Sequence, residues 1–261
     1  MLKIAANLNF LFCEVPFMER FASAAKAGFQ FVELMFPYDY NVREIEEQLN
    51  KNNLKLVLFN LPPGNWAEGE RGIAVDAARK GDFRKGIVQA IEIAKQLGVE
   101  KINCLAGKKT AYESDEVVWQ TLVNNVSFAA DEFAKNNLKL LIEPINHFDM
   151  PGFYLNTTGQ VIKLLQEINR SNAFLQYDIY HAEREGEKHS FILENYFTKI
   201  AHIQIADNPG RNQPGTGTAE IKYVLAELDR LGYEGYVSME YKPVPDTLTS
   251  LNWLNEFGYR L

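Results

Sequence analysis

The chain has 261 residues, 46% apolar and 23% charged, enough for one large core and unlike a disordered or coiled-coil composition. A formal charge of −7 argues against a nucleic-acid partner, whose phosphates need a cationic surface. Only Cys13 and Cys104 occur, without a Cys-x-x-Cys, which excludes zinc-ribbon and disulfide-framework readings.

No apolar run is long enough for a bilayer, and the apolar stretch near Met1 is too short for a signal peptide, so a soluble, cytoplasmic protein with no membrane partner is expected. Runs rich in β-branched and aromatic residues fall at Lys3 to Asn9, Phe31 to Met35, Lys55 to Asn60, Lys101 to Leu105, Lys139 to Glu143, Phe174 to Asp178, Ile200 to Ile205 and Tyr236 to Glu240. Helical stripes separate them: Phe17, Phe21 and Ala24, then Ile87, Ala90, Ile91, Ala94 and Leu97, then Val224, Leu225, Leu228 and Leu231. Gly28, Gly98 and Gly232 follow these stripes as stop signals. Eight β-α repeats predict an α/β fold, a (β/α)8 TIM barrel in a single domain over residues 1–261. A doubly wound sheet would need a glycine fingerprint after the first strand, and Asn7 to Cys13 has none.

Helix-to-strand turns are short, whereas Leu61 to Asp82, Pro144 to Asn156 and Ala206 to Thr218 make long strand-to-helix loops. Barrel active sites lie on that side, at the C-terminal strand ends. There Glu143, Asp178, Gln204 and Glu240 end four consecutive strands, which predicts three carboxylates and an amide on one rim. Like charges so placed call for a cation, and an all-oxygen set suits Mg²⁺ or Mn²⁺ better than Zn²⁺.

His181, three residues beyond Asp178, is expected to touch substrate, whereas His147 and His202 are read as structural and His189 as a surface residue. Arg71, Arg211 and Lys242, in or beside the long loops, are candidate anchors for an anionic substrate. Gly215-Thr216-Gly217 lacks the Gly-Lys-Ser/Thr of a phosphate loop and is read as a mobile loop.

Ile142-Glu143, Asp178-Ile179-Tyr180-His181, His202-Ile203-Gln204 and Met239-Glu240-Tyr241-Lys242-Pro243 resemble the hydroxypyruvate isomerase family of xylose isomerase-like barrels. Ala5 to Asn9, Glu33 to Tyr38 and Leu58 to Asn60 extend the resemblance nearly end to end. It implies that Glu143 and Glu240 are the proton donor and acceptor, that Glu143, Asp178, Gln204 and Glu240 surround a Mg²⁺-like ion, and that His181 sits beside substrate. The expected partner is a small hydroxy-carbonyl acid, with homo-oligomerisation left open. The rival readings are a 2-oxo-tetronate or keto-sugar isomerase or epimerase, a metal-dependent barrel endonuclease, and a non-catalytic binding barrel.

Overall fold

The computed structural model describes residues 2–109 and 113–261. Eight parallel strands, β1 (Lys3–Asn7), β2 (Phe31–Glu33), β3 (Lys55–Asn60), β4 (Lys101–Asn103), β5 (Lys139–Ile142), β6 (Ala173–Asp178), β7 (Ile200–Ile205) and β8 (Tyr236–Met239), form a barrel closed by the pairing of β1 with β8. Near-continuous apolar runs suit strands covered on both faces. Each predicted strand is present, several ending one or two residues earlier.

The ring of helices comprises α1 (Arg20–Ala27), α2 (Val42–Lys51), α3 (Lys80–Leu97), α4 (Asp115–Ala134), α5 (Thr158–Ile168), α6 (Ile179–Arg184), α7 (His189–Tyr196), α8 (Ile221–Arg230), α9 (Thr247–Ser250) and α10 (Trp253–Phe257). All five members of the α3 stripe are buried, and Gly98 ends that helix in the left-handed region at φ 66°. Among the described residues no helix is long and apolar enough to cross a membrane.

Inside the barrel the two-residue period of each strand stacks side chains in layers. Polar strand ends crown the C-terminal mouth. Beneath them Ala5, Leu58 and Leu141 belong to one buried cluster, with Phe31, Phe174 and Tyr236 against it. The floor is cationic: Lys3, Lys55, Lys101 and Lys139 each open a strand. Lys101 is buried, and its Nζ donates to the Ala201 carbonyl at 2.6 Å, 4.8 Å from the Tyr236 ring centre.

Burial, reinforced by Lys139, Lys3 and Lys55 and opposed by Glu100, pulls the Lys101 amine down from 10.5 to about 8. Between those values the unfolded chain holds a proton that the folded chain has lost, so this group makes stability rise with pH. Urea titrations should show a rise between about pH 8 and pH 10 that is missing in Lys101→Met; matching profiles would disprove it. A second expectation concerns Gly72, at φ 102°, where an added Cβ would lie 2.2 Å from the Leu105 carbonyl oxygen. Gly72→Ala should cost about 2 kcal/mol or more in the same titration, while Gly81→Ala, in open space on α3, should be neutral or mildly stabilising.

Candidate active site

Each of the eight strands places a buried polar side chain within one residue of its C-terminal end, at the mouth. Asn7, Glu33, Asn60 and Asn103 complete the ring that Glu143, Asp178, Gln204 and Glu240 were expected to form alone. Amide donors are interspersed with carboxylate acceptors around it. Asn7 Nδ2 donates to Glu33 Oε1 at 2.7 Å and to Glu240 Oε2 at 3.1 Å. Asn103 Nδ2 reaches Asn60 Oδ1 at 3.0 Å and Glu143 Oε2 at 2.9 Å. Gln176 Nε2, one layer down, donates to Glu143 Oε2 at 3.0 Å and to Gln204 Oε1 at 2.7 Å.

Gln204 stands on the rim as expected, but its amide is turned. Its Nε2 donates to Glu33 Oε1 at 2.6 Å and also to Glu240 Oε2, while its oxygen faces Gln176. Two carboxylates select the nitrogen, so the oxygen expected to meet an ion is already engaged. His202, read as structural, is buried: two positions before Gln204 it shares the inward face, and its Nε2 lies 2.6 Å from Glu33 Oε2.

His181 joins the acids as expected, its Nε2 3.5 Å from Asp178 Oδ2 and 3.9 Å from Glu143 Oε1. Asn146 fixes its tautomer. Asn146 Oδ1 accepts from the Asp149 amide at 2.9 Å, so its Nδ2 is the atom facing His181 Nδ1, at 2.6 Å. Burial, with Arg211 and Arg184 nearby, drives His181 well below the ordinary imidazole range. The ring is therefore neutral, with its one proton on Nε2, aimed at the acids.

Arg211 brings the positive charge. Its guanidinium lies between the Phe10 and Tyr180 rings, 4.9 Å from each centre, with Nη2 bonded to Glu240 Oε1 and 3.6 Å from Asp178 Oδ2. Burial pushes Glu143 well above the usual carboxylate range, and Glu240 and Asp178 push it further. Burial likewise raises Glu240 and Asp178, with Arg211 opposing in both. One guanidinium does not balance this set. Asp178 Oδ2 is buried without a hydrogen-bond partner, and Glu143 and Asp178 place carboxylate oxygens within 4.8 Å of one another, so the acids fit a divalent cation.

The chain matches the family model described as xylose isomerase-like TIM barrel over residues 21–257. It is 46% identical to hydroxypyruvate isomerase from Escherichia coli (strain K12), covering 98% of this chain and 100% of the relative. The chain belongs to the hydroxypyruvate isomerase family of xylose isomerase-like TIM barrels. A 2-oxo-tetronate isomerase from Haemophilus influenzae is 36% identical, over 98% of this chain and 99% of the relative. Among solved structures, one titled AP endonuclease, family 2, from Brucella melitensis superposes with a TM-score of 0.95 at 36% identity, covering 98% and 99% of the two chains.

In this family member the loop after β7 carries Arg211, and one carboxylate holds that loop. Asp207 Oδ2 accepts from the amides of Gly215, Thr216 and Gly217 at 2.8 to 2.9 Å, and Oδ1 from those of Asn208 and Ala219 at 2.9 Å. The Gly215-Thr216-Gly217 segment, expected to be mobile, is thus wrapped around an internal anion. An added Cβ at Gly217 would sit 2.0 Å from the Asn208 carbonyl oxygen. Arg211 itself takes φ 55° and is held by Asp207 O and by the Lys242 amide.

The remaining candidates lie differently. Lys242 has an exposed side chain and serves the site through its backbone. Arg71 folds onto its own loop, 3.8 Å from the Trp66 ring centre, donating to the Trp66 and Glu70 carbonyls. His189 is buried rather than on the surface, between Tyr177 Oη and Glu183 Oε1. Sequence reasoning missed Asn7, Glu33, Asn60 and Asn103; of these only Asn60 ended a predicted strand, the other three strands having been drawn two residues too long.

If Asp207 holds the arginine loop, Asp207→Ala and Gly217→Ala should each lose about 2 kcal/mol or more and become open to trypsin after Arg211. Parent-like resistance in both folded variants would show that the loop is held by something else.

Proposed function

We propose that this protein isomerises hydroxypyruvate to tartronate semialdehyde with Mg²⁺ or Mn²⁺, and that Glu240 and Glu143 act in sequence as base and acid. The observation that carries this reading is the unequal setting of two buried glutamates across one mouth, in a chain so close to a hydroxypyruvate isomerase. Glu240 accepts from Asn7, Gln204 and Arg211, which favour its ionised form. Glu143 Oε2 accepts only the side-chain amides of Asn103 and Gln176, which suits a carboxyl that holds a proton.

The reaction moves a proton between neighbouring carbons, and the obstacle is the weak acidity of a C–H beside a carbonyl. Glu240 removes a proton from the hydroxymethyl carbon, leaving an enediolate. Glu143 returns a proton at the former carbonyl carbon, while the hydroxyl proton passes to the other oxygen. The Nε2 proton of His181 stabilises negative charge developing on oxygen. Asp178 would be the principal holder of the divalent ion, with Glu143 and Glu240 each offering it one oxygen and keeping the other for proton transfer; when bound the ion would polarise the carbonyl and hydroxyl oxygens. Gln204 serves as the donor that orients Glu240. A cytoplasmic location belongs to this reading, supported by free thiols at Cys13 and Cys104.

An endonuclease reading gains little support. Such sites use several histidines and several metals, whereas here two histidines reach the acids, His181 beside Asp178 and His202 paired with Glu33. The excess negative charge also disfavours a polyanionic substrate.

Folded Glu143→Gln and Glu240→Gln should each lose at least about a hundredfold in turnover of hydroxypyruvate, assayed beside 2-oxo-tetronates. Removing divalent ions should abolish turnover, and Mg²⁺ or Mn²⁺ should restore it. Near-parental rates in both variants, or after exhaustive chelation, would refute the assignment. Faster turnover of a 2-oxo-tetronate would move the substrate and keep the mechanism.

A further inference from the structure

At the end of the barrel opposite the mouth, the four lysines Lys3, Lys55, Lys101 and Lys139 outnumber the two nearby acids, Glu100 and Glu234. Lys101 and Lys139 are direct register partners on β4 and β5, an arrangement in which like charges repel. Lys3 and Lys101 share one aromatic face, 5.6 and 4.8 Å from the centre of the Tyr236 ring. The nearby carboxylate of Glu100 is bonded to Lys55 at 2.9 Å, and Glu234 offers Lys3 only its backbone carbonyl. Lys101 presents three donors, one of which is placed on the Ala201 carbonyl. A cavity of about 410 Å³ opens here, its lining including Lys3, Lys101 and Lys139 together with Glu100 and Glu234, large enough for a small metabolite.

We infer that this floor is a binding site for a small oxyanion carrying two or more negative charges, of the phosphate-ester or polycarboxylate kind, held by Lys101, Lys139 and Lys3. The anion offsets the excess of lysines over acids and accepts from the remaining Lys101 donors. The site is independent of the carboxylate ring and of the proposed reaction. Its amines face one another together with Lys55, Glu100, Glu234 and Tyr236, and of these Lys101 is the one held near a slightly alkaline value. Anion binding should therefore return a proton to Lys101 when the solution is alkaline enough to have removed it.

Calorimetric titration of the metal-stripped protein with pyrophosphate and, separately, citrate tests this. One saturable site is expected, weakened about tenfold or more in Lys139→Gln and in Lys101→Met and unchanged in Arg211→Met. Near pH 8.5, binding should take up protons, read from buffers of different ionisation enthalpy, and this uptake should vanish in Lys101→Met. Tighter binding of pyrophosphate assigns a phosphate ligand, and tighter binding of citrate a carboxylate one. Absence of saturable binding, unchanged affinity in the exposed Lys139→Gln variant, or loss in Arg211→Met would overturn the proposal.

Discussion

Four carboxylates buried at one barrel mouth are the constraint to which the rest of this structure responds. Two like charges 4 Å apart repel by about 4 kcal/mol at an effective dielectric of 20, before desolvation is counted. The chain meets this with interspersed amides. Asn7, Asn103, Gln176 and Gln204 place amide donors between Glu33, Glu143 and Glu240, so that each of these acids accepts at least one buried hydrogen bond. Such a network fixes side-chain positions, although Asp178 Oδ2, Asn103 Oδ1 and Gln176 Oε1 stay without a hydrogen-bond partner among the described residues. It leaves the charge unbalanced, and the remaining requirement is for cations.

Arg211 meets part of that requirement, and its delivery explains the architecture of the loop after β7. A side chain reaching from a left-handed residue into a packed mouth needs a rigid base, and five backbone amides gathered on Asp207 provide it. The result is an asymmetric site. Glu240 lies against a guanidinium, whereas Glu143 faces the Nε2 side of His181. Two glutamates of identical chemistry thereby sit in different electrostatic surroundings, which a proton transfer between adjacent carbons can use.

The fold was legible because each β-α unit carries its own local signals: buried runs, helical stripes and stop glycines such as Gly28, Gly98 and Gly232. Glu143, Asp178 and Glu240 were legible because consecutive strand ends are neighbours in a barrel. What sequence could not supply was direction. The Gln204 amide is oriented by Glu33, which arrives from β2, distant in sequence. His202 was set aside although it shares a face with Gln204, because its partner is the same unforeseen Glu33. The loop residues Arg71 and Lys242 carried the right charge, but their side-chain placement depends on turn geometry that composition does not encode. Gly215 to Gly217 looked mobile because the anion that orders them, Asp207, lies eight to ten residues earlier.

The assignment of Glu240 as base and Glu143 as acid is most directly tested by solvent deuterium exchange into hydroxypyruvate, followed by NMR. The Glu143→Gln enzyme should still exchange the hydroxymethyl protons while forming no product, and Glu240→Gln should do neither. Exchange that survives in Glu240→Gln and disappears in Glu143→Gln would reverse the roles and contradict the asymmetry on which the account rests.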